Sequence, residues 1–226
     1  MVNIGVLVSG SGSNLQAIID SVEAGSLKAS IKVVISDNSQ AYAIERAKKH
    51  GIPSVVLLKK GYSSREEFDK EVVRELKENG VELVVMAGFM RIISKVILEA
   101  FPMRIMNIHP SLLPAFPGLD VQKKALEHGV KFSGCTVHFV DEGLDSGPIV
   151  IQAAVPVLDA DTPETLAKRI LAEEHRIYPQ AIQFFSEGRI EFSGRRVSIK
   201  KNAEPSATVE NPLVTVFGTL NENSPP

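Results

Sequence analysis

Three residues whose side chains can cooperate in acyl-type transfer stand at the end of an apolar run and in a loop farther along the chain. Asn107 and His109 are two positions apart, so on an extended strand their side chains point the same way. Asp145 follows within residues 144–148, Leu-Asp-Ser-Gly-Pro. An amide can donate to a developing oxyanion, an imidazole can shuttle a proton, and a carboxylate can favour the charged imidazole. The set therefore predicts group transfer without a covalent intermediate, if folding brings Asp145 to the end of that strand.

The loop at residues 9–14, Ser-Gly-Ser-Gly-Ser-Asn, is a second candidate site. It lies between an apolar run and a segment with helical spacing, where backbone N–H groups and the helix dipole favour an anion. Gly12 lets the backbone approach a ligand closely, and Ser13 and Asn14 can add donors. Because no Gly-Lys-Ser/Thr follows the glycines, the loop is not that of a nucleoside triphosphate hydrolase. We expect it to bind a single terminal phosphate on a small metabolite.

A nicotinamide-dependent dehydrogenase remains an alternative on the same pattern. A dinucleotide-binding loop has a third glycine for close packing of helix on strand, and this chain has Leu15 at that position. Asp37, however, follows the second predicted strand, where an acid that binds ribose hydroxyls would lie. A ligand-binding module without catalytic activity is the alternative outside the enzymes.

Alternating strands and helices must position these residues. Apolar, β-branched runs predict strands, and apolar residues three or four positions apart predict helices. The predicted strands cover residues 2–8, 31–35, 54–58, 83–86 and 104–108, and the predicted helices cover 15–19, 42–50 and 64–79. A capping box formed by Ser64 and Glu67 opens the third helix. Strands that are apolar on both faces specify a parallel sheet covered by helices on each side.

The C-terminal part follows a different pattern. The runs 133–140 and 149–155 are joined by too few residues for a crossover helix, so we expect an antiparallel pair. A long helix starts at Thr162, and Pro179 is expected to kink or interrupt it. The predicted fold class is therefore α/β, a Rossmann-like, open, mostly parallel twisted sheet with helices on both faces and an antiparallel strand pair in the C-terminal part. The mixed polar sequence of residues 200–226 predicts an irregular tail.

Composition narrows the class of protein. The 226 residues are 44% hydrophobic and 23% charged, which is ordinary for a globular protein. A formal net charge of −2 argues against nucleic acid as a partner, and no apolar stretch predicts a membrane span or a secretory leader, so we expect a cytoplasmic protein. The single cysteine, Cys135, excludes an intrachain disulfide. The histidines lack zinc-like partners in the sequence, so we expect no metal.

Four motifs in one order resemble those of the phosphoribosylglycinamide formyltransferase family. They are residues 9–18, the sequence Ala-Gly-Phe-Met-Arg-Ile at 87–92, the sequence Asn-Ile-His-Pro-Ser-Leu-Leu-Pro at 107–114, and residues 141–148. The resemblance covers about residues 1–195. It implies an enzyme of purine biosynthesis that transfers the formyl group of 10-formyltetrahydrofolate, as co-substrate, to the amine of 5'-phosphoribosylglycinamide.

The resemblance also implies which residues hold each substrate. The ribotide would contact Gly12, Ser13, Asn14, Gly88 and Glu174, and the folate would contact Arg65, Met90, Arg91, Ile92, Ile93, Asn107, Val140, Asp141 and Gly143. A flat pterin needs an apolar slot with backbone donors and acceptors, and a guanidinium suits the carboxylates of the folate tail. We expect a single domain at residues 1–199, with a phosphate-binding half at about 1–100 and a folate-binding and catalytic half at about 101–199.

The residues also suggest the chemistry. The amine attacks the formyl carbon, Asn107 stabilises the developing negative oxygen, and His109, kept cationic by Asp145, relays protons to the folate nitrogen. Other enzymes with the same core stay open, namely another folate-dependent formyltransferase or a formyltetrahydrofolate hydrolase. A hydrolase is expected to carry a regulatory domain ahead of the core, and a methionyl-tRNA formyltransferase is expected to add a C-terminal nucleic-acid-binding domain, neither of which the sequence suggests. The phosphate loop favours a small ribotide as the acceptor. We expect small-molecule partners only, and a monomer or a homodimer.

Overall fold

The computed structural model describes residues 1–201 and the backbone of Val214–Val216. The strands are β1 Val2–Val8, β2 Ala29–Ser36, β3 Ser54–Val56, β4 Leu83–Met86, β5 Ile105–His109, β6 Phe132–Phe139, β7 Ile149–Pro156, β8 Ile190–Ser193, β9 Arg196–Ile199 and β10 Val214–Val216. The α-helices are α1 Ser13–Glu23, α2 Tyr42–Lys49, α3 Arg65–Glu78, α4 Lys95–Ala100, α5 Val121–Glu127 and α6 Pro163–Ser186, and Lys59–Gly61 forms one turn of 3-10 helix.

Eight strands form one sheet in the order β10-β7-β6-β5-β4-β1-β2-β3. Strands β1 to β5 are mutually parallel, and β6 runs antiparallel to both of its neighbours, β5 and β7. The predicted fold class and the antiparallel pair of β6 and β7 are therefore confirmed. β8 and β9 form a separate antiparallel hairpin that the sequence analysis did not predict.

The two faces of the sheet are covered by different helices. On β1, Val6 and Val8 join the core cluster that contains residues of α1, α2 and α6, whereas Leu7 joins the cluster that contains residues of α3 and α4. This alternation follows from the pleat, which sends successive side chains to opposite faces. Helices are needed on both faces of the sheet because its parallel strands carry apolar side chains on each side.

Helix α6 corrects one prediction. Pro179 was expected to kink or interrupt it, and the structure contradicts the interruption, since the helix continues through Pro179 to Ser186. The predicted kink stays a prediction. Pro179 has no N–H to donate to the carbonyl of His175, but the turn is buried, and the hydroxyl of Tyr178 is anchored in the sheet. Tertiary contacts therefore hold the turn that the missing backbone bond weakens.

The helix starts agree with the predictions in most details. Ser64 accepts a hydrogen bond from the N–H of Glu67, as a capping box requires, although the Glu67 carboxylate accepts from the N–H of Ser63 instead of Ser64. Thr162 caps α6, with Pro163 at the first helical position.

The tail departs from the irregular structure predicted for residues 200–226 at one place. Val214–Val216 form β10, which pairs in parallel with Gln152 to Ala154 of β7. The β-branched valines suit an edge strand, and β7 offers its free edge there. Residues 202–213 and 217–226 lie outside the described residues, and the prediction made for them stays a prediction.

Candidate active site

The predicted phosphate loop lies at the carboxyl end of β1 and lines a cavity of about 220 Å³ with the segment after β4. Its lining comprises Ser9, Gly10, Ser11, Gly12, Ser13, Asn14, Ala87, Gly88 and Met90. The two segments are joined because Ser9 donates its N–H to the Gly88 carbonyl at 3.1 Å, and Met90 donates its N–H to the Ser9 hydroxyl at 2.9 Å. The structure thus brings the four predicted ribotide residues Gly12, Ser13, Asn14 and Gly88 to one cavity.

Gly12 is required by the shape of this loop. It precedes the first turn of α1 with φ of 69°, in the left-handed region that favours glycine. A Cβ built on Gly12 would lie 2.6 Å from the Cβ of Ala43 and 2.9 Å from its Cα. The contact with α2 therefore sets the path of the loop, and the first N–H groups of α1 are left for an anion.

Glu174 reaches the same cavity wall from α6. Its Oε2 accepts a hydrogen bond of 2.7 Å from Nδ2 of Asn14, and both side chains are buried. Burial raises the pKa of Glu174, while the hydrogen bond from Asn14 opposes this effect. Oδ1 of Asn14 is buried without a partner, so the site keeps an acceptor for a donor group of a ligand.

His109 and Asp145 lie together at the end of β5. Nδ1 of His109 is 3.4 Å from Oδ2 of Asp145, and its Nε2 is 2.9 Å from the carbonyl oxygen of Phe116. Both ring nitrogens therefore face oxygen atoms that can accept a hydrogen bond. Only 5% of the surface of His109 is exposed, so these contacts are shielded from water. The predicted approach of Asp145 to the strand end is therefore present in the structure.

Asn107 is held by His138, a histidine that the sequence analysis did not place in the site. Nδ2 of Asn107 is 3.2 Å from Nε2 of His138, and Nδ1 of His138 is 2.8 Å from the carbonyl oxygen of Phe139. The second contact requires a proton on Nδ1, which leaves Nε2 as an acceptor for one N–H of Asn107. Burial lowers the pKa of His138, so the neutral form persists. The pairing of β5 with β6 places Asn107 opposite His138.

The loop that carries Asp145 has a tightly defined backbone. Asp145 has φ of 50°, and the N–H of Gly118 donates to its Oδ2 at 2.9 Å. Asp141 accepts from the N–H of Gly143 at 3.0 Å and from the Ser146 hydroxyl at 2.6 Å. This Asx turn closes the loop locally, which holds Asp145 in a conformation that few residues adopt.

A buried hydrogen-bond network supports the segment after His109. The Thr136 hydroxyl donates to the Ser111 carbonyl at 2.6 Å and accepts from the N–H of Leu113 at 3.0 Å. The side chain of Gln152 donates to the same hydroxyl and to the Leu113 carbonyl. The sequence analysis missed this network, since only the register of β6 and β7 brings Thr136 beside Gln152.

The predicted folate residues form a surface between α3, α4 and the Asp145 loop. Met90 and Ile92 are exposed by 69% and 66%, while Ile93 is buried in the cluster against which Val140 packs. The guanidinium of Arg91 lies over the Phe68 ring at 4.1 Å. The two exposed apolar side chains are free to cover a flat ligand.

Polar groups flank this surface. Arg65, at the start of α3, is half-exposed and 3.8 Å from the carboxylate of its neighbour Glu66, so its guanidinium can reach a ligand. On the opposite side, Lys95 of α4 pairs with Glu142 at 3.2 Å. That ion pair connects the surface of the predicted folate residues to the loop that contains Asp141 and Gly143.

A larger cavity, of about 530 Å³, lies on the other side of Asp145. Its lining comprises Leu113, Pro114, Pro117, Leu144, Asp145, Ser146, Gly147, Ile149, Arg195, Arg196 and Val197. Apart from Asp145, none of the predicted site residues lines it. The hairpin of β8 and β9 closes this cavity, where Arg195 donates to the Ser146 carbonyl and lies 3.9 Å from Asp141.

The described residues contain neither a metal-binding cluster nor a membrane-spanning helix. Among residues 1–201 and 214–216, no group of three or more His, Cys, Asp or Glu side chains is arranged to hold a metal ion. No helix in the same residues is long and apolar enough to cross a membrane.

The chain is similar to known formyltransferases over most of its length. Residues 2–182 match the family model described as formyl transferase. A phosphoribosylglycinamide formyltransferase of Escherichia coli is 43% identical over 188 residues, which are 83% of this chain and 89% of that protein. A trifunctional purine biosynthetic protein adenosine-3 of Drosophila pseudoobscura pseudoobscura is 50% identical over 203 residues, which are 88% of this chain but only 15% of that protein.

The fold agrees with the sequence similarity. The crystal structure of glycinamide ribonucleotide transformylase 1 from Symbiobacterium toebii superposes with a TM-score of 0.88 at 56% identity, covering 89% of this chain and 95% of that one. Motifs, fold and identity agree over the same residues. The chain belongs to the formyl transferase family and, within it, to the phosphoribosylglycinamide formyltransferases.

Proposed function

We propose that the protein transfers the formyl group of 10-formyltetrahydrofolate to the amine of 5'-phosphoribosylglycinamide, giving formylglycinamide ribotide and tetrahydrofolate in purine biosynthesis. The observation that carries the proposal is the arrangement at the carboxyl end of β5, where His109 lies 3.4 Å from Asp145 and His138 contacts both Asn107 and Asp145. The neighbouring parallel strands β4 and β1 lead at the same edge of the sheet to the cavity of the anion loop. Family membership supplies the two substrates. The division into a phosphate-binding half at 1–100 and a catalytic half at 101–199 belongs to the same proposal.

The ribotide phosphate binds at the amino end of α1. The N–H groups of Ser13 and Asn14 have no earlier helical carbonyl to bond, and the helix dipole favours a dianion there. Glu174 and the unpartnered Oδ1 of Asn14 accept hydrogen bonds from ribose hydroxyls. This arrangement holds the glycinamide amine toward the end of β5.

The folate binds along Met90 to Ile93 and against the loop of Val140, Asp141 and Gly143, with its tail carboxylates toward Arg65 and Arg91. The exposed side chains of Met90 and Ile92 cover the apolar part of the cofactor. Its formyl group is then directed to Asn107, which contributes to both folate binding and catalysis.

The transfer forms a bond between the amine nitrogen and the formyl carbon and breaks the bond between that carbon and N10 of the folate. Asn107 uses its second N–H to stabilise the oxyanion of the tetrahedral intermediate. The imidazolium of His109 adds positive charge beside it, and its proton is the source for the departing N10. The proton lost by the amine restores the imidazolium, so the cycle needs no covalent nucleophile and no metal.

The central experiment is a transfer assay with the purified protein, in which tetrahydrofolate formation is followed by absorbance and the formylated ribotide is identified by mass. Release of formate without the ribotide would identify a hydrolase instead. Saturable binding of NADH by fluorescence would favour the dehydrogenase alternative. Turnover only when both substrates are present supports the proposal. The cytoplasmic location, the absence of nucleic-acid partners, and the choice between monomer and homodimer stay predictions.

A further inference from the structure

Tyr178 occupies a central place that the mechanism does not use. Its side chain is fully buried in α6, and its hydroxyl oxygen lies 3.0 Å from the carbonyl oxygen of Met86 and 2.9 Å from that of Met106. Met86 is the last residue of β4, and Met106 immediately precedes Asn107 in β5. The carbonyls of two neighbouring strands therefore share the one hydroxyl proton in a three-centre hydrogen bond, at the end where the candidate site lies.

The two strands lead to different parts of the site. Gly88, two residues after Met86, lines the cavity of the predicted phosphate loop. Met106 is followed directly by Asn107, the proposed oxyanion donor. In the parallel register, Met86 is paired with Asn107. The distance between the bound ribotide and Asn107 thus depends on how closely these strand ends are held.

The same helix contacts the site one turn earlier. Glu174 lies four residues before Tyr178, on the same face of α6, and bonds Asn14. Pro179 removes the backbone hydrogen bond to the His175 carbonyl in the turn between them. That turn therefore lacks one backbone hydrogen bond. The contact of the Tyr178 hydroxyl with the strand carbonyls fixes the distance between this turn and the sheet.

We propose that Tyr178 is a positioning residue for formyl transfer: by bridging the carbonyls of Met86 and Met106, its hydroxyl aligns the ribotide amine with Asn107. The inference rests on the proposed function for its kinetic consequence, but the bridge itself is a separate structural claim. Burial also holds the pKa of the Tyr178 phenol well above its ordinary value, so the hydroxyl stays a donor throughout the working range.

The test replaces Tyr178→Phe, which removes the hydroxyl and keeps the ring. We expect kcat per active site to fall about tenfold or more, because small displacements of reacting groups are costly. The KM for 10-formyltetrahydrofolate should stay within about twofold, since the folate surface does not depend on the bridge. Active sites are counted with a tight-binding folate analogue, so loss of folded protein does not enter kcat.

The matched control is Ile170→Val, which removes a buried methyl group from the same helix but no hydrogen-bonding group. It should keep wild-type kcat per active site. Equal kcat in Tyr178→Phe and the wild type, or an equal fall in Ile170→Val, overturns the proposal.

Hydrogen exchange separates this inference from the proposed function. If the bridge holds the strand ends, the amides of Gly88 and Asn107 exchange faster in Tyr178→Phe but not in Ile170→Val. Unchanged exchange at both amides refutes the bridge, whatever the substrate is. If these amides exchange faster in Tyr178→Phe but the wild-type protein transfers no formyl group, the proposed function is refuted and the bridge is retained.

Discussion

Nδ2 of Asn107 and Nε2 of His138 are 3.2 Å apart, and this contact fixes which way the Asn107 amide faces. Since Nδ1 of His138 is committed to the Phe139 carbonyl at 2.8 Å, its Nε2 can only accept. One N–H of Asn107 is used in this bond, and the other is free to point at a reacting oxygen. In the proposed mechanism, His138 thereby orients Asn107 as the oxyanion donor without needing to contact the substrate.

Replacing Asn107→Ala should lower turnover by roughly a hundredfold or more, since loss of one oxyanion donor costs on the order of 3 to 4 kcal/mol of transition-state stabilisation. Steady-state kinetics with both substrates measures the effect. Asn3→Ala is the control, because Asn3 lies in the same sheet at the opposite end of β1. Turnover close to wild type in Asn107→Ala would show that another group stabilises the oxyanion.

Asp145→Asn tests the charge partner of His109. Asparagine has the same shape and tolerates the φ of 50° at this position, so binding of both substrates should be largely preserved. Without the carboxylate 3.4 Å from its Nδ1, His109 loses its charge partner, so kcat should fall while both KM values stay close to those of the wild type. The control is Asp120→Asn, which makes the same change at an exposed residue with φ of 57°. A kcat equal to that of the wild type would remove Asp145 from the mechanism.

Gly12→Ala should disable the phosphate loop. The new methyl group would meet Ala43 at 2.6 Å in a backbone conformation with φ of 69°, so the loop must shift. We expect the KM for the ribotide to rise about tenfold or more and the KM for the folate to change little. Gly61→Ala adds a methyl group with nothing within 4 Å and should leave both values unchanged. An unaltered ribotide KM in Gly12→Ala would place the phosphate elsewhere.

The buried, neutral state of His138 predicts how stability depends on pH. Burial lowers its pKa below the ordinary value of 6.5, so below that pH the unfolded chain binds a proton that the folded protein resists. The free energy of unfolding should be highest above about pH 6.5 and fall by at most about 1.4 kcal/mol per pH unit from this group as the pH drops toward its folded pKa.

Urea unfolding between about pH 5 and pH 7.5 measures this slope in the wild type and in His138→Gln. In His138→Gln, the free energy of unfolding should fall less steeply toward low pH than in the wild type. His175, whose pKa is also lowered by burial, remains in both proteins and adds the same slope to each. Equal slopes in the two proteins would mean that His138 is protonated in the folded state.

Local patterns were sufficient to predict much of the fold and the candidate site. The apolar run ending at Val8, the glycine loop and the helical spacing after Leu15 define β1, the anion loop and α1 with little help from distant residues. The apolar run likewise predicted a strand at 104–108 that contains Asn107, and β5 extends one residue further, to His109. These features depend on side-chain alternation and helix ends, which are properties of a few consecutive residues.

Features that depend on pairing across the chain were missed. The sequence did not place His138 in the site, because only the antiparallel register with β5 brings it to Asn107. α4 and α5, with six and seven residues, are too short for a periodic signal. The hairpin of β8 and β9 did have a signal, namely apolar residues alternating on both sides of Gly194.

Truncation after Lys201 tests how much the sheet depends on β10. Val214–Val216 pair only with β7 among the described strands, and β7 retains its longer antiparallel pairing with β6 when they are removed. We therefore expect the truncated protein to fold and keep its kcat, with a modest loss of stability measured by urea unfolding. Exposing the edge of β7 should also raise its tendency to associate, which light scattering can detect. An insoluble or inactive product would show that the tail contributes to the core in a way that an edge strand does not.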